Sequence, residues 1–183
     1  MSNTITPAKT PSVSVATIAE RLPPFRRILP GLRHAVMTGL AAITAYVPTH
    51  ELALQQGFWS CITAIAVVQT EFHLTESSAR NQFTGALIGG LIGLCAVLAF
   101  GAHLPVYIIA VMLAVLTCWV LNVISASQLG GITVTIVMLV PHTGSPAGMM
   151  ISRLSEVAWG VTVGITIVWL AAYLTPRRFR KAG

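Results

Sequence analysis

QQGFWSCITAIAVVQTEFHLTESSARNQFTGALIGGLIGLCAVLAFG, residues 55–101, reads as two apolar runs joined by a short polar stretch. The first run, Phe58 to Thr70, is rich in Thr and β-branched residues. The polar stretch carries Glu71, His73, Glu76 and Arg80. The second run sets Gly85, Gly89 and Gly93 four residues apart, with Gly90 beside them. Glycines at i, i+4 and i+8 line one stripe of a helix, along which another backbone can approach closely. In water each interior glycine costs roughly 1 kcal/mol against alanine. In lipid, where helices associate by close packing, such a stripe is useful. The stretch therefore predicts two membrane-spanning helices with a loop over 71–81.

Composition agrees. The chain is 55% hydrophobic and 9% charged, with a mean hydropathy of +0.79. Soluble domains average about 25% charged residues, so the polar material needed to solvate a globular surface is missing. There is no aspartate; the acidic residues are Glu20, Glu51, Glu71, Glu76 and Glu156. The isoelectric point near 9.9 does not point to nucleic acid, because the basic residues gather at the two ends of the chain rather than along a groove. Basic residues flanking apolar spans are topology signals and contacts for anionic headgroups. Cys61, Cys95 and Cys118 lie inside apolar runs and suggest neither a disulfide framework nor a metal site. No cofactor is expected, and no nucleophile–base set or phosphate-cradling loop suggests catalysis.

Taken in order, residues 1–30 are expected to form a disordered cytoplasmic tail, 31–175 a six-helix membrane domain, and 176–183 a basic cytoplasmic tail. The apolar segments run over 34–49, 57–70, 82–101, 104–124, 128–141 and 155–174. Spanning about 30 Å of hydrocarbon takes about 20 residues, so the second and fifth segments are short. Tyr46, Phe58, Trp59, Tyr107, Trp159, Trp169 and Tyr173 lie near segment ends, where interfacial aromatics belong. With six spans every Lys and Arg except Arg153 falls on one side, which favours both termini in the cytoplasm of an inner-membrane protein.

The chain also repeats itself. CITAIAVVQT (61–70) lies on GITVTIVMLV (131–140) at an offset of 70, matching Thr63 with Thr133. At an offset of 71, Gly89 and Gly93 fall on Gly160 and Gly164, and Gln82 on Arg153. Three spans per repeat is an odd number, so the halves would be inverted. The expected fold is an all-α membrane protein whose six transmembrane helices form an inverted repeat of two three-helix halves. The inverted repeat would bring the third and sixth helices together, with the glycine stripes serving either packing inside a subunit or a dimer interface. Short spans at matching positions of two halves point to a transport site near the midplane.

Arg153 and Glu156, three apart, share a face at the start of the sixth segment. In one reading Arg153 attracts a carboxylate and Glu156 pairs with it or carries a proton, since ionisable residues within spans usually face a bundle interior or wet cavity. In the other they are an interfacial ion pair. Glu71, His73, Glu76 and Arg80 are either a proton relay or a solvated loop. Gln69 and Gln128 at the ends of the short spans, Thr63 and Thr133 within them, and Arg80 and Gln82 at the third complete the candidate pathway residues. His34, His103 and His142 are read as interfacial.

Three stretches carry a resemblance: FWSCITAIAVVQT (58–70), QFTGALIGGLIG (82–93) and RLSEVAWGVTVGITIVWL (153–170). They resemble the second, third and sixth spans of the fusaric acid resistance protein-like, or aromatic acid exporter, family. The likeness covers roughly residues 30–175. Gln82 stands where the family's third span usually opens with arginine, with Arg80 two residues earlier, and Ala86 replaces its threonine. The resemblance implies efflux of small organic or aromatic carboxylates driven by the proton gradient. The similar plant malate channels imply an anion pathway built from two such units. A homodimer in the lipid bilayer and a periplasmic adaptor are the expected partners. The rival class is a structural or assembly membrane protein whose glycines serve packing alone, or an anion channel-like pore.

Overall fold

Small side chains lie inside this protein and large ones outside. The computed structural model describes residues 24–51, 57–141 and 144–174. Within them, the largest fully buried side chains are valines, with Thr63, Thr75, Cys118 and Ser60, while Leu29, Leu40, Ile43, Phe100, Leu116 and Trp119 point outward. Water would drive the large residues inward; in lipid they have no such incentive, and small residues take the helix contacts instead.

Among the described residues six α-helices follow in order: α1 (Pro24–Glu51), α2 (Phe58–Val67), α3 (Phe72–Phe100), α4 (Leu104–Val120), α5 (Ser127–Leu139, after a 3-10 turn at Ile124–Ala126) and α6 (Pro146–Leu174). No strand occurs among the described residues. Among the described residues three helices are long and apolar enough to cross a membrane: Ile28–Glu51 of α1, α3 and α6. At 1.5 Å per residue the 29-residue α3 and α6 reach about 43 Å, whereas the 10 residues of α2 reach only about 15 Å. The 17 residues of α4 and 13 of α5 fall between.

Local chemistry moves several expected boundaries. The stretch expected as a loop over 71–81 is helical from Phe72 onward, so the break is confined to residues 68–71. Thr75 Oγ1 accepts the Gln69 N–H (3.1 Å) and donates to the Glu71 carbonyl (3.1 Å), closing that turn. Glu76 and Arg80 then pair one turn apart at 3.1 Å. In the same way α6 starts at Pro146 rather than near 155. Ser145 Oγ accepts the Gly148 N–H (3.1 Å), which caps a helix whose first residue is proline. The first helix begins at Pro24 rather than near 34, with Pro30 and Pro48 inside it. At the end of α4, Asn122 takes the left-handed conformation (φ 58°). Val123 N–H then reaches the Cys118 carbonyl (2.8 Å) and Asn122 N–H that of Trp119 (3.1 Å), which satisfies the last carbonyls.

The glycine stripes act within the chain, and the third and sixth helices do pack together as expected, but the stripes themselves are seated on other helices. A Cβ at Gly89 would overlap the Gly130 carbonyl of α5, and one at Gly160 would stand 2.5 Å from the Ser60 carbonyl of α2. Gly93 lies on Val134 and Val137; Gly164 lies on Ala64 and Val67. Each stripe therefore seats a long helix on a short one running parallel to it: α3 on α5, α6 on α2. The two seams match position by position, at the same offsets of 70 and 71 residues read from the sequence. What faces α6 from α3 is Gly90, whose Cβ would stand 3.2 Å from Met150. Two apolar clusters follow from this pairing. Met37, Ala41, Ala45, Ala64, Val68, Val163 and Val168 join α1, α2 and α6. Ala110, Ala114, Val134 and Met138, with Ile92 and Ala96, join α3, α4 and α5.

Alanine at Gly89 or Gly160 should lower stability by about 1–3 kcal/mol, because the added methyl meets backbone that cannot swing away. Gly39, with nothing within 4 Å, should accept alanine without loss. Thermal unfolding of the detergent-purified variants, followed by tryptophan fluorescence, measures the contrast. Similar behaviour at all three positions would sink the backbone-contact account.

Candidate functional site

Among the described residues the buried charges are Arg153 and Glu156, 6% and 4% exposed. They sit two turns into α6, not at its start, which moves them from the expected helix end into the packed bundle. Their Nη1 and Oε2 atoms are 3.8 Å apart: an ion pair with no hydrogen bond between those atoms. Ser152 Oγ donates to Glu156 Oε1 at 2.9 Å, and the Arg153 guanidinium carbon lies 4.9 Å from the centre of the Trp59 ring of α2. Arg153 Nε and Nη1, Glu156 Oε2, Trp59 Nε1 and Thr63 Oγ1 are all buried without a hydrogen-bond partner. Each such orphan costs about 1–3 kcal/mol, more for a charged group, so this is an expensive place in the fold.

A groove of about 560 Å³ opens beside the pair, lined by Pro48, Thr49, Ile151, Ser152, Glu156 and Trp159 among others. Its walls are held by one carbonyl. Ala45 O of α1 accepts from Trp159 Nε1 of α6 (3.2 Å) and lies 3.2 Å from Ser60 Oγ of α2, whose shorter bond runs to the Gly57 carbonyl (2.6 Å). Thr49 Oγ1 turns back to the Tyr46 carbonyl at 2.8 Å. Pro48, lacking an N–H, leaves the Thr44 carbonyl without its usual helical donor at this end of α1. The arrangement offers an apolar and aromatic wall, several hydroxyls and the Glu156 carboxyl; Arg153 is outside the lining, 3.8 Å from Glu156 and with unused N–H donors. A guanidinium in that condition is suited to a carboxylate, which it grips through two parallel hydrogen bonds.

The other candidate residues are distributed unevenly. Thr63 abuts Gly160, one turn along α6 from Glu156. Gln82 is half-buried and shares with Gly89 and Gly93 the side of α3 that is seated on α5, not the side that meets α6. Thr133 donates to the Leu129 carbonyl within α5 (2.9 Å) and Gln69 to the Ala66 carbonyl within α2 (3.3 Å). Gln128 is exposed, and Arg80 is exposed and paired with Glu76. His73 lies 3.3 Å from Glu71 at the start of α3, so that group is helical surface rather than loop. His34 is half-buried and His103 exposed; His142 lies outside the described residues. Trp59, Ser152 and Trp159 were legible only as an aromatic near a segment end, an unremarked serine, and another interfacial ring. Ser152 alone left a signal, its four-residue spacing from Glu156. No three His, Cys, Asp or Glu among the described residues come together as a metal site.

The match of this chain to known proteins takes in nearly the whole bundle: the family model of fusaric acid resistance protein-like proteins covers residues 40–173. The chain belongs to that family. It is a membrane transporter-like protein of the fusaric acid resistance type, in a family of transporters rather than enzymes. No curated protein and no solved structure matches it. The matched residues include the pair, both glycine seams and the groove.

Removing one member of the pair should destabilise the fold more than removing both. Arg153→Met leaves Glu156 buried and uncompensated, a change worth about 3–5 kcal/mol in soluble proteins, whereas the double change Arg153→Met/Glu156→Leu removes both charges. Denaturant unfolding in detergent is the measurement, and a double variant less stable than either single one would refute the ion pair.

Proposed function

We propose that this protein exports small organic or aromatic carboxylates across the inner membrane, coupled to protons, with Arg153 as the anchor for the substrate carboxylate. The observation that carries this reading is the buried guanidinium with two nitrogens lacking hydrogen-bond partners, 3.8 Å from a carboxyl, Glu156, that lines a groove walled by Trp159. Thr63, which abuts α6 one turn beyond Glu156, is the candidate that accompanies that anchor, and Gln82 stands at the matching place of the other seam. Arg80, Gln69, Gln128 and Thr133 belong to the outer pathway in this reading.

The two matching seams favour an inverted repeat of three-helix halves in which the third helices change places. The parallel running of α3 with α5 and of α6 with α2 favours six crossings with both termini cytoplasmic, α2 and α5 completing theirs with flanking residues. A homodimer, the commonest closed assembly of identical chains, supplies the second unit of the pathway, and a periplasmic adaptor is its further partner.

Proteoliposomes carrying the purified protein should move benzoate faster than protein-free vesicles, and the charge-neutral Arg153→Gln/Glu156→Gln, which leaves neither charge buried alone, should abolish the difference while retaining the wild-type elution profile. Flux equal to protein-free vesicles over a panel of aromatic and aliphatic carboxylates would favour a structural role instead. Flux unaffected by any proton gradient would favour a channel. Cysteines placed at Ser2 and Ala182, on a background without the native three, should be labelled from the cytoplasmic side only.

A further inference from the structure

We propose that Glu156 makes anion and proton binding cooperative, so that a carboxylate on Arg153 and a proton on Glu156 arrive together and leave together. This rests on the reading of Arg153 as the anchor. The pair is poised for a change of partner: 3.8 Å apart, with Nε, Nη1 and Oε2 all free of hydrogen bonds. A substrate carboxylate gripping Arg153 would leave two carboxylates beside one guanidinium in a buried place, where like charges strongly disfavour one another.

Among the described residues nothing nearby supplies a second cation. From α1 the site meets Pro48 and Thr49, with His50 and Glu51 beyond them, both exposed. From α2 come Trp59 and Thr63, neither charged. Between Arg80 and Cys95 of α3, and throughout α5, there is no ionisable side chain at all. The neighbours on α6 are Ser152 and Ser155. One proton on Glu156 is then what restores the balance. The carboxylate Glu156–CO₂⁻ takes H⁺ to become Glu156–CO₂H as RCO₂⁻ takes Arg153, and the Ser152 hydroxyl, which can turn, accepts from the new O–H.

The sign of this coupling matters. Anion and proton travel as the equivalent of undissociated acid, so a monocarboxylate moves without net charge. An inward proton gradient then opposes export instead of driving it, the reverse of the proton-for-anion exchange that gradient-driven efflux implies. Export runs on the substrate's own accumulation.

Calorimetric titration of the detergent-purified protein with benzoate, in two pH 7 buffers of different ionisation enthalpy, counts the protons. One proton taken up per benzoate is expected, with affinity rising up to about tenfold per pH unit between pH 8 and pH 6. Glu156→Gln should bind benzoate without proton uptake and with a flat pH profile. The charge-neutral Arg153→Gln/Glu156→Gln should elute as the wild type and bind none. Binding with zero uptake or with proton release would overturn the coupling while leaving the anchor standing, as would uptake that persists in Glu156→Gln. No benzoate binding by the wild type would overturn the anchor and the coupling together.

Discussion

Everything in this bundle depends on two places where backbones nearly touch. Gly89 against Gly130 and Gly160 against Ser60 leave no room for even a methyl group. Large apolar residues gain nothing by turning inward in lipid, so packing has to come from dispersion contacts at short range, and these need small residues on both sides. The valines and alanines of the two clusters extend those contacts along the seams. Because each seam joins a long helix to a short one distant in sequence, the seams also tie the chain's halves to each other.

The second seam sets the chemistry. Seating α6 on α2 brings Arg153 over Trp59 and Thr63 beside Gly160, while Trp159 is pinned to the Ala45 carbonyl that Ser60 Oγ also approaches. Three helices thus converge on one carbonyl next to the buried pair. A shift of α6 along α2 would alter the guanidinium's stacking, its distance to Glu156 and the groove wall at once. Residues held this way form a connected network in which the geometry of the pair reports on the seam.

Much of this was legible in the chain, within limits that have physical causes. A glycine stripe announces close approach, but its spacing says nothing about which backbone fills it; hence the seams were visible and their partners, α5 and α2, were not. Hydropathy sees the part of a helix that lies in hydrocarbon, so it missed the polar turns from Phe72 to Asn81 and the turns from Pro146 that lengthen α3 and α6. The Ser145–Pro146 start was available as a capping signal. The spacing of Arg153 and Glu156 disclosed a shared face, while their burial depends on how far the helix extends before them. Trp59 beneath the guanidinium left no local trace, because that contact crosses from one helix to another.

The correspondence between the seams isolates what packing does not explain. Seventy-one residues before Glu156 stands Gly85, where a Cβ would lie 2.6 Å from that of Leu129, and 71 before Arg153 stands Gln82. One seam therefore carries glycine and an amide where the other carries a buried carboxylate and a guanidinium. The first seam demonstrates that this contact can be built without charge. Apolar or small replacements for a buried ion pair are often neutral or stabilising, so the pair gives α6 no packing advantage that glycine lacks. Its atoms without hydrogen-bond partners add a penalty besides. The difference between two otherwise matching seams thus falls on the two side chains able to hold an anion and a proton, and stability alone gives no reason for them to be there.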